Sequence, residues 1–279
     1  MKIYNWRVGN LWVDLAVITA NFAGVKVEEV FVTQDDLKSK EWKAKSITSK
    51  TPLLETPEGN LVESAAIARY LASVGTGNLA GTNAFETAQI NQWVDYSHTT
   101  IFPHFVPIYR AVFGHGDPVD SEVYNNAVKE IKDIVKTINI HLQGKKHIVG
   151  ERTTVADIAV AAQLILFFQT ILDGGFRKAM PNVTAWLEAY TKDPHVVARI
   201  GNAKFTQKGF KPTNVAEKKK EEVKAPAAAP KKPAGDEEEG EKKPAGKNPL
   251  DLLPPSKFVL PDFKTYFVNL GDKKATEGM

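Results

Sequence analysis

The feature that most constrains the fold of this chain is a change in apolar periodicity near residue 86. Before it, short runs of alternating apolar residues, typical of strands, are interleaved with runs of three- and four-residue spacing, typical of helices. Their order is β-α-β-α-β-β-α, which predicts an α/β domain over residues 1–80. Segments are assigned to six of the seven elements, all but the second helix: KIYNW, LWVDLAVITANFAG, VKVEEVFV, TPLLE, NLVE and SAAIARYLASVG.

After residue 86 the strand signals vanish, and apolar residues recur at helical spacing, as in Ile131 and Ile134. This pattern predicts an all-α helical bundle over residues 86–205. Pro103 and Pro107 fall inside one of these runs. Each proline removes a backbone donor and crowds the preceding turn, so we expect the helix to kink or break there.

A third zone of the chain has a composition that opposes folding. Residues 211–247 contain ten Lys, eight acidic residues and five Pro, but no aromatic residue, Leu, Ile or Met. Nothing in this composition offsets the entropy cost of ordering, so we expect a disordered linker that spans roughly 30–37 Å as a flexible coil. Apolar residues then return in KNPLDLLPPSKFVLPDFK at 247–264.

Charge and cysteine content argue against several functions. The chain has 36 Lys and Arg against 33 Asp and Glu, a net charge of +3, which gives no strong field for nucleic acid or a membrane surface. Cysteine is absent, which removes disulfides and thiolate zinc sites and favours a cytoplasmic location. No signal peptide is predicted, and the apolar stretch 158–172 is shorter than the roughly 20 residues of a spanning helix.

Two positions in the first domain are candidates for binding an extended peptide. Thr51-Pro52 opens the third predicted strand, where a cis proline would expose backbone groups for pairing. A trans proline at an edge strand is the commoner alternative, since cis bonds are about 5–6% of X-Pro bonds. Glu63 and Ser64 begin a helix whose free N–H groups attract a carboxylate. The alternative is that Ser64 is simply the N-cap of that helix.

One motif in the second half indicates a structural role. Thr154 and Asp157 have the spacing of a capping box ahead of an apolar run, so we expect them to cap a central helix and not to act in catalysis. The six His residues show no paired spacing, and the sequence therefore predicts no metal site.

Taken in order, TPLLE, ESAAIARYL and VGERTTVADI resemble the glutathione transferase superfamily. The resemblance implies a thioredoxin-like N-terminal domain followed by an all-helical domain, and it covers residues 1 to about 205. The charged linker and the segment at 247–264 extend it to the elongation factor 1-gamma family, in which a similar segment opens a C-terminal domain. Residues 248–279 would then be an incomplete beginning of that domain.

This resemblance implies a non-catalytic scaffold that binds the nucleotide-exchange subunits of elongation factor 1 and, through them, the elongation GTPase. The fold also commonly forms homodimers. Transferases of the superfamily activate the glutathione thiol with a Tyr, Ser or Cys just after the first strand. Here that loop, residues 6–10, holds none of these. Arg7, Asn10 and, on the strand itself, Tyr4 remain as weak catalytic candidates.

The alternative implied by the same resemblance is a glutathione-dependent transferase of weak or specialised activity. In that case Thr51, Pro52, Glu63 and Ser64 would form the glutathione pocket. Glutathione is the one small ligand to expect, and no cofactor is required.

Overall fold

The computed structural model describes residues 1–216, and the parts of the predicted linker and C-terminal module at 217–279 lie outside the described residues. The first half contains a four-stranded sheet of order β2-β1-β3-β4. β1 runs parallel to β2 and antiparallel to β3, and β3 is antiparallel to β4. Its elements are β1 (Lys2–Asn5), α1 (Leu11–Ala23), β2 (Glu28–Phe31), α2 (Lys40–Lys45), β3 (Leu53–Thr56), β4 (Gly59–Val62) and α3 (Ser64–Val74).

The second half is almost entirely helical. Its elements are α4 (Ala84–Tyr96), α5 (Phe105–Phe113), β5 (Val119–Asp120), α6 (Ser121–His141), α7 (Val155–Thr170), α8 (Gly174–Lys178), α9 (Pro181–Lys192), α10 (Pro194–Ile200) and β6 (Val215–Ala216). The predicted fold class, a thioredoxin-like α/β domain followed by an all-α bundle, is confirmed. Among residues 1–216 no helix has the length and apolar character needed to cross a membrane.

The helix break expected near Pro103 is present. After α4 the chain forms a π turn at Ser97–Ile101 and a 3₁₀ turn at Phe102–His104, and α5 begins only at Phe105. Pro103 lies in the first positions of the 3₁₀ turn, where a residue without a backbone N–H is tolerated.

The prediction that the linker begins at residue 211 is wrong for residues 211–216. The backbone N–H groups of Thr213 and Asn214 both donate to the carbonyl of Ala111, at 2.9 and 3.0 Å. β6 then pairs in parallel with β5. Composition missed this because the segment is held by backbone hydrogen bonds, which need no apolar side chain.

Helix α1 belongs to two hydrophobic cores at once. Val13, Ala16 and Ala20 pack with residues of the sheet and α3. Leu15 and Ile18 belong to the larger core that α4, α6 and α7 build in the second half. The helix is therefore buried on two faces, which explains why LWVDLAVITANFA is apolar nearly all round and only weakly amphipathic.

The capping box at the start of α7 is present, and its carboxylate does more than cap. Asp157 accepts hydrogen bonds from the backbone N–H and the hydroxyl of Thr154, at 2.9 and 3.1 Å. Its other oxygen accepts from the N–H of Ile148 at 2.8 Å and from the indole N–H of Trp186 at 3.0 Å. Burial raises the pKa of Asp157, against these hydrogen bonds, which lower it. One carboxylate thus joins α7, α9 and the loop before α7.

We expect Asp157→Ala to lower the free energy of unfolding by roughly 3–5 kcal/mol, because it leaves several buried donors without an acceptor. Urea unfolding followed by circular dichroism measures the change. Asp133→Ala is the matched control, since Asp133 is half exposed and paired with Lys136 on the surface of α6. Equal losses in the two variants would contradict the role assigned to Asp157.

Candidate functional site

A cavity of about 440 Å³ lies where the loop after β1 and the start of α1 face α5, α7 and α10. Its apolar wall includes Phe102, Phe105 and Ile165, and its polar lining includes Arg7 and Asn10. This places two of the three weak catalytic candidates at one cavity, while Tyr4 is not part of its lining. An apolar cleft with a few polar groups is the usual form of a small-molecule site.

Asn10 is the N-cap of α1, and its side chain is engaged within the protein. Its Oδ1 accepts from the backbone N–H of Trp12 at 3.2 Å, and its Nδ2 donates to Oδ1 of Asn5 at 3.1 Å. The residue is 4% exposed. Both polar atoms of the amide therefore serve the start of the helix, and neither is left wholly free for a ligand.

Tyr4 and Arg7 have different surroundings. The hydroxyl of Tyr4 donates to Glu55 Oε2 at 3.0 Å, and Lys45 lies 3.0 Å from the same carboxylate oxygen. The hydrogen bond from Lys45, followed by that from Tyr4, lowers the pKa of Glu55. Arg7 is exposed, and its guanidinium carbon lies 5.0 Å from the centre of the Trp6 ring. Of these two side chains, Arg7 is the one that faces the cavity.

The residues predicted for a glutathione pocket lie at the start of β3 and of α3, and none of them lines the 440 Å³ cavity. The Thr51-Pro52 bond is cis, and the Thr51 hydroxyl is buried without a hydrogen-bond partner. Glu63 has a left-handed backbone (φ 67°) and occupies the N-cap position of α3, without a side-chain cap. The alternative interpretation of Ser64 as the N-cap is therefore wrong, since Ser64 is the first helical residue.

Ser64 contacts His98, a residue to which the sequence analysis assigned no role. Its Oγ lies 3.2 Å from Nε2 of His98, in the π turn of the bundle. Nδ1 of His98 lies 3.0 Å from the carbonyl of Val94, which can only accept, and 2.9 Å from Oγ of Ser97, whose hydroxyl donates to that same carbonyl. Nδ1 therefore carries the proton, and Nε2 accepts from Ser64. Burial lowers the pKa of His98, which favours this neutral form. The ring stacks on Trp12, with 5.0 Å between ring centres.

An ion network at the cavity was also missed by the sequence analysis. Arg199 of α10 donates to Asp14 of α1 at 2.7 Å and, through two nitrogens, to Glu29 of β2 at 2.6 and 2.9 Å. Burial raises the pKa of Asp14, whereas the hydrogen bond from Arg199 lowers that of Glu29. One cation of the helical half thus holds two acids of the sheet half. The sequence did contain one signal of this network, because Asp14 is a charged residue inside the otherwise apolar run of α1.

Among residues 1–216 no three His, Asp or Glu side chains come together as a possible metal site. The predicted absence of a metal concerns the whole chain and stays a prediction.

Comparison with known proteins identifies the class of fold to which these two domains belong. Residues 1–73 match the family model of the glutathione S-transferase N-terminal domain, and residues 92–194 match that of the C-terminal domain. The fold is similar to glutathione transferase F7 from Populus trichocarpa, with a TM-score of 0.64 at 19% identity over 73% of this chain and 99% of that one. The chain therefore has the glutathione transferase fold.

The GST-like domain of elongation factor 1-gamma from Saccharomyces cerevisiae has a similar fold, with a TM-score of 0.63 at 19% identity over 76% of this chain and 97% of that one. In sequence, the chain is 37% identical to probable elongation factor 1-gamma 2 of Arabidopsis thaliana, over 94% of this chain and 65% of that protein. It is 31% identical to elongation factor 1-gamma of Artemia salina, over 93% of this chain and 66% of that protein. Over nearly its whole length the chain is similar to elongation factor 1-gamma proteins, and it spans just under two thirds of the length of these relatives.

We expect Arg199→Met to lower the free energy of unfolding by roughly 2–4 kcal/mol, because it leaves two partly buried carboxylates without their cation. Chemical denaturation measures this loss. Lys136→Met removes a cation from the exposed pair with Asp133 and is expected to cost less than about 0.5 kcal/mol. If Arg199→Met were no more costly than this control, the network would not be holding the two halves together.

Proposed function

We propose that this chain is a subunit of translation elongation factor 1, in which the transferase-like body is a non-catalytic scaffold for the nucleotide-exchange subunits. Through them it would act indirectly on the elongation GTPase, in the cytoplasm. The observation that carries the proposal is the extent of the sequence similarity. It covers 93–94% of the chain, whereas the transferase family models end at residue 194.

The site geometry supports a role without thiol chemistry. A transferase needs a group aimed at the sulfur of glutathione to lower the thiol pKa. Here the amide of Asn10 caps α1, the hydroxyl of Tyr4 donates to Glu55, and the hydroxyl of Ser64 pairs with His98. Three of the polar groups that the sequence analysis assigned to the expected site are thus engaged with other residues of the chain. The exterior of a rigid body is what remains for binding partners, with the linker keeping tethered modules close.

A second candidate function, a glutathione-dependent transferase, is favoured by one observation. The 440 Å³ cavity combines an apolar wall, suited to a hydrophobic electrophile, with the guanidinium of Arg7. A cation next to a thiol stabilises the thiolate. Under this alternative glutathione would be the ligand, and Arg7 would be the catalytic residue.

One pair of measurements separates the two proposals. We expect the 279-residue chain, immobilised, to retain purified exchange subunits of elongation factor 1 in a stoichiometric complex. We also expect it to conjugate glutathione to a broad electrophile no faster than a blank without protein. Arg7→Ala is the diagnostic variant, because Arg7 is exposed and its loss should leave the fold intact.

Turnover above the blank that falls in Arg7→Ala would overturn the scaffold proposal in favour of the transferase. Failure to retain any exchange subunit would overturn it independently. Asn83→Ala serves as the structural control, because Asn83 is the N-cap of α4 and does not line the cavity. It should lower stability by about 1 kcal/mol through loss of the helix cap and change neither readout.

A further inference from the structure

A second cavity, of about 340 Å³, lies between α8, the end of α9 and the segment that follows α10. It shares Asn202 and Ala203 with the 440 Å³ cavity, but its remaining lining is different. No step of the proposed function uses it.

The buried group at this cavity is Arg177, which is 7% exposed. Its Nη1 donates to the carbonyl of Leu172 at 2.7 Å and to that of Thr206, and its guanidinium lies 5.8 Å from the centre of the Phe205 ring. Within residues 1–216 no carboxylate lies within ion-pair distance of it. Carbonyls supply dipoles but no countercharge, and a buried charge without a countercharge is costly.

The rest of the polar lining includes one further cation, one acid and two side-chain amides. Lys192 stands on the rim and makes no ion pair within the described part of the chain, and the side-chain amides of Asn202 and Gln207 make no hydrogen bond there. Glu188 is the one acid of the lining, and it pairs with neither cation. With two basic side chains and one acid, the lining has a formal charge of +1.

We propose that this cavity binds an oxyanion, a phosphate or carboxylate group, for which Arg177 provides the buried charge and Lys192 the charge at the rim. A guanidinium presents a planar fork of N–H donors that matches both groups, and Nη1 alone accounts for its bonds to the carbonyls. The entering anion supplies the countercharge that the described residues lack. This inference does not rest on the scaffold role.

The test is calorimetric titration of the full chain with inorganic phosphate and, separately, with succinate, each against chloride at equal low ionic strength. We expect saturable binding of at least one of the two anions. Binding of phosphate alone identifies a phosphoryl site, and binding of succinate alone identifies a carboxylate site. If neither binds beyond chloride, the proposal is overturned.

Two exposed lysines provide a matched pair of variants. Lys192→Gln should weaken binding about threefold, through loss of one screened charge contact. Lys178→Gln makes the same charge change on α8, outside the cavity lining, and should leave the affinity unchanged. If the two lysine variants weakened anion binding equally, the effect would come from the overall charge of the surface, and the proposed site would be wrong. Arg177→Lys should abolish saturable binding. If the Arg177→Lys variant does not fold, the comparison of Lys192→Gln with Lys178→Gln still tests the proposal.

Discussion

Burial of α1 on two sides is the constraint on which the rest of the structure depends. One face of the helix completes the core of the sheet, and the other face enters the larger core of the helical half. Because α1 is shared, the two halves cannot separate without exposing its apolar surface to water. Arg199 adds a directional contact at the same junction, since its guanidinium reaches Asp14 on α1 and Glu29 on β2.

This constraint also determines the chemistry at the start of α1. The first N–H groups of a helix have no partner within the helix, and the buried side chain of Asn10 stands at this position. The amide of Asn10 provides an acceptor and is itself held by Asn5. At the start of α3, the hydroxyl of Ser64 forms a hydrogen bond with Nε2 of His98. Two of the predicted site positions are thus engaged within the protein, Asn10 inside the sheet half and Ser64 across to the helical half.

Local patterns were sufficient to predict the parts of this structure that local interactions determine. Periodicity predicted the order of strands and helices, and the capping box could be recognised because Thr154 and Asp157 are three residues apart. The pair of Ser64 and His98 spans 34 residues, and that of Asp14 and Arg199 spans 185. Such contacts leave no periodic trace in one sequence. Residues 211–216 were misassigned for a related reason, because backbone bonds to Ala111 are independent of composition.

The central claim is that the polar groups beside the first helix hold the fold together and do not ionise a thiol. The most direct measurement is the ultraviolet difference spectrum of glutathione mixed with the full chain at neutral pH, where a bound thiolate absorbs and a thiol does not. The account predicts no thiolate band at any glutathione concentration. A saturable thiolate band, with an apparent thiol pKa well below that of free glutathione, would contradict it.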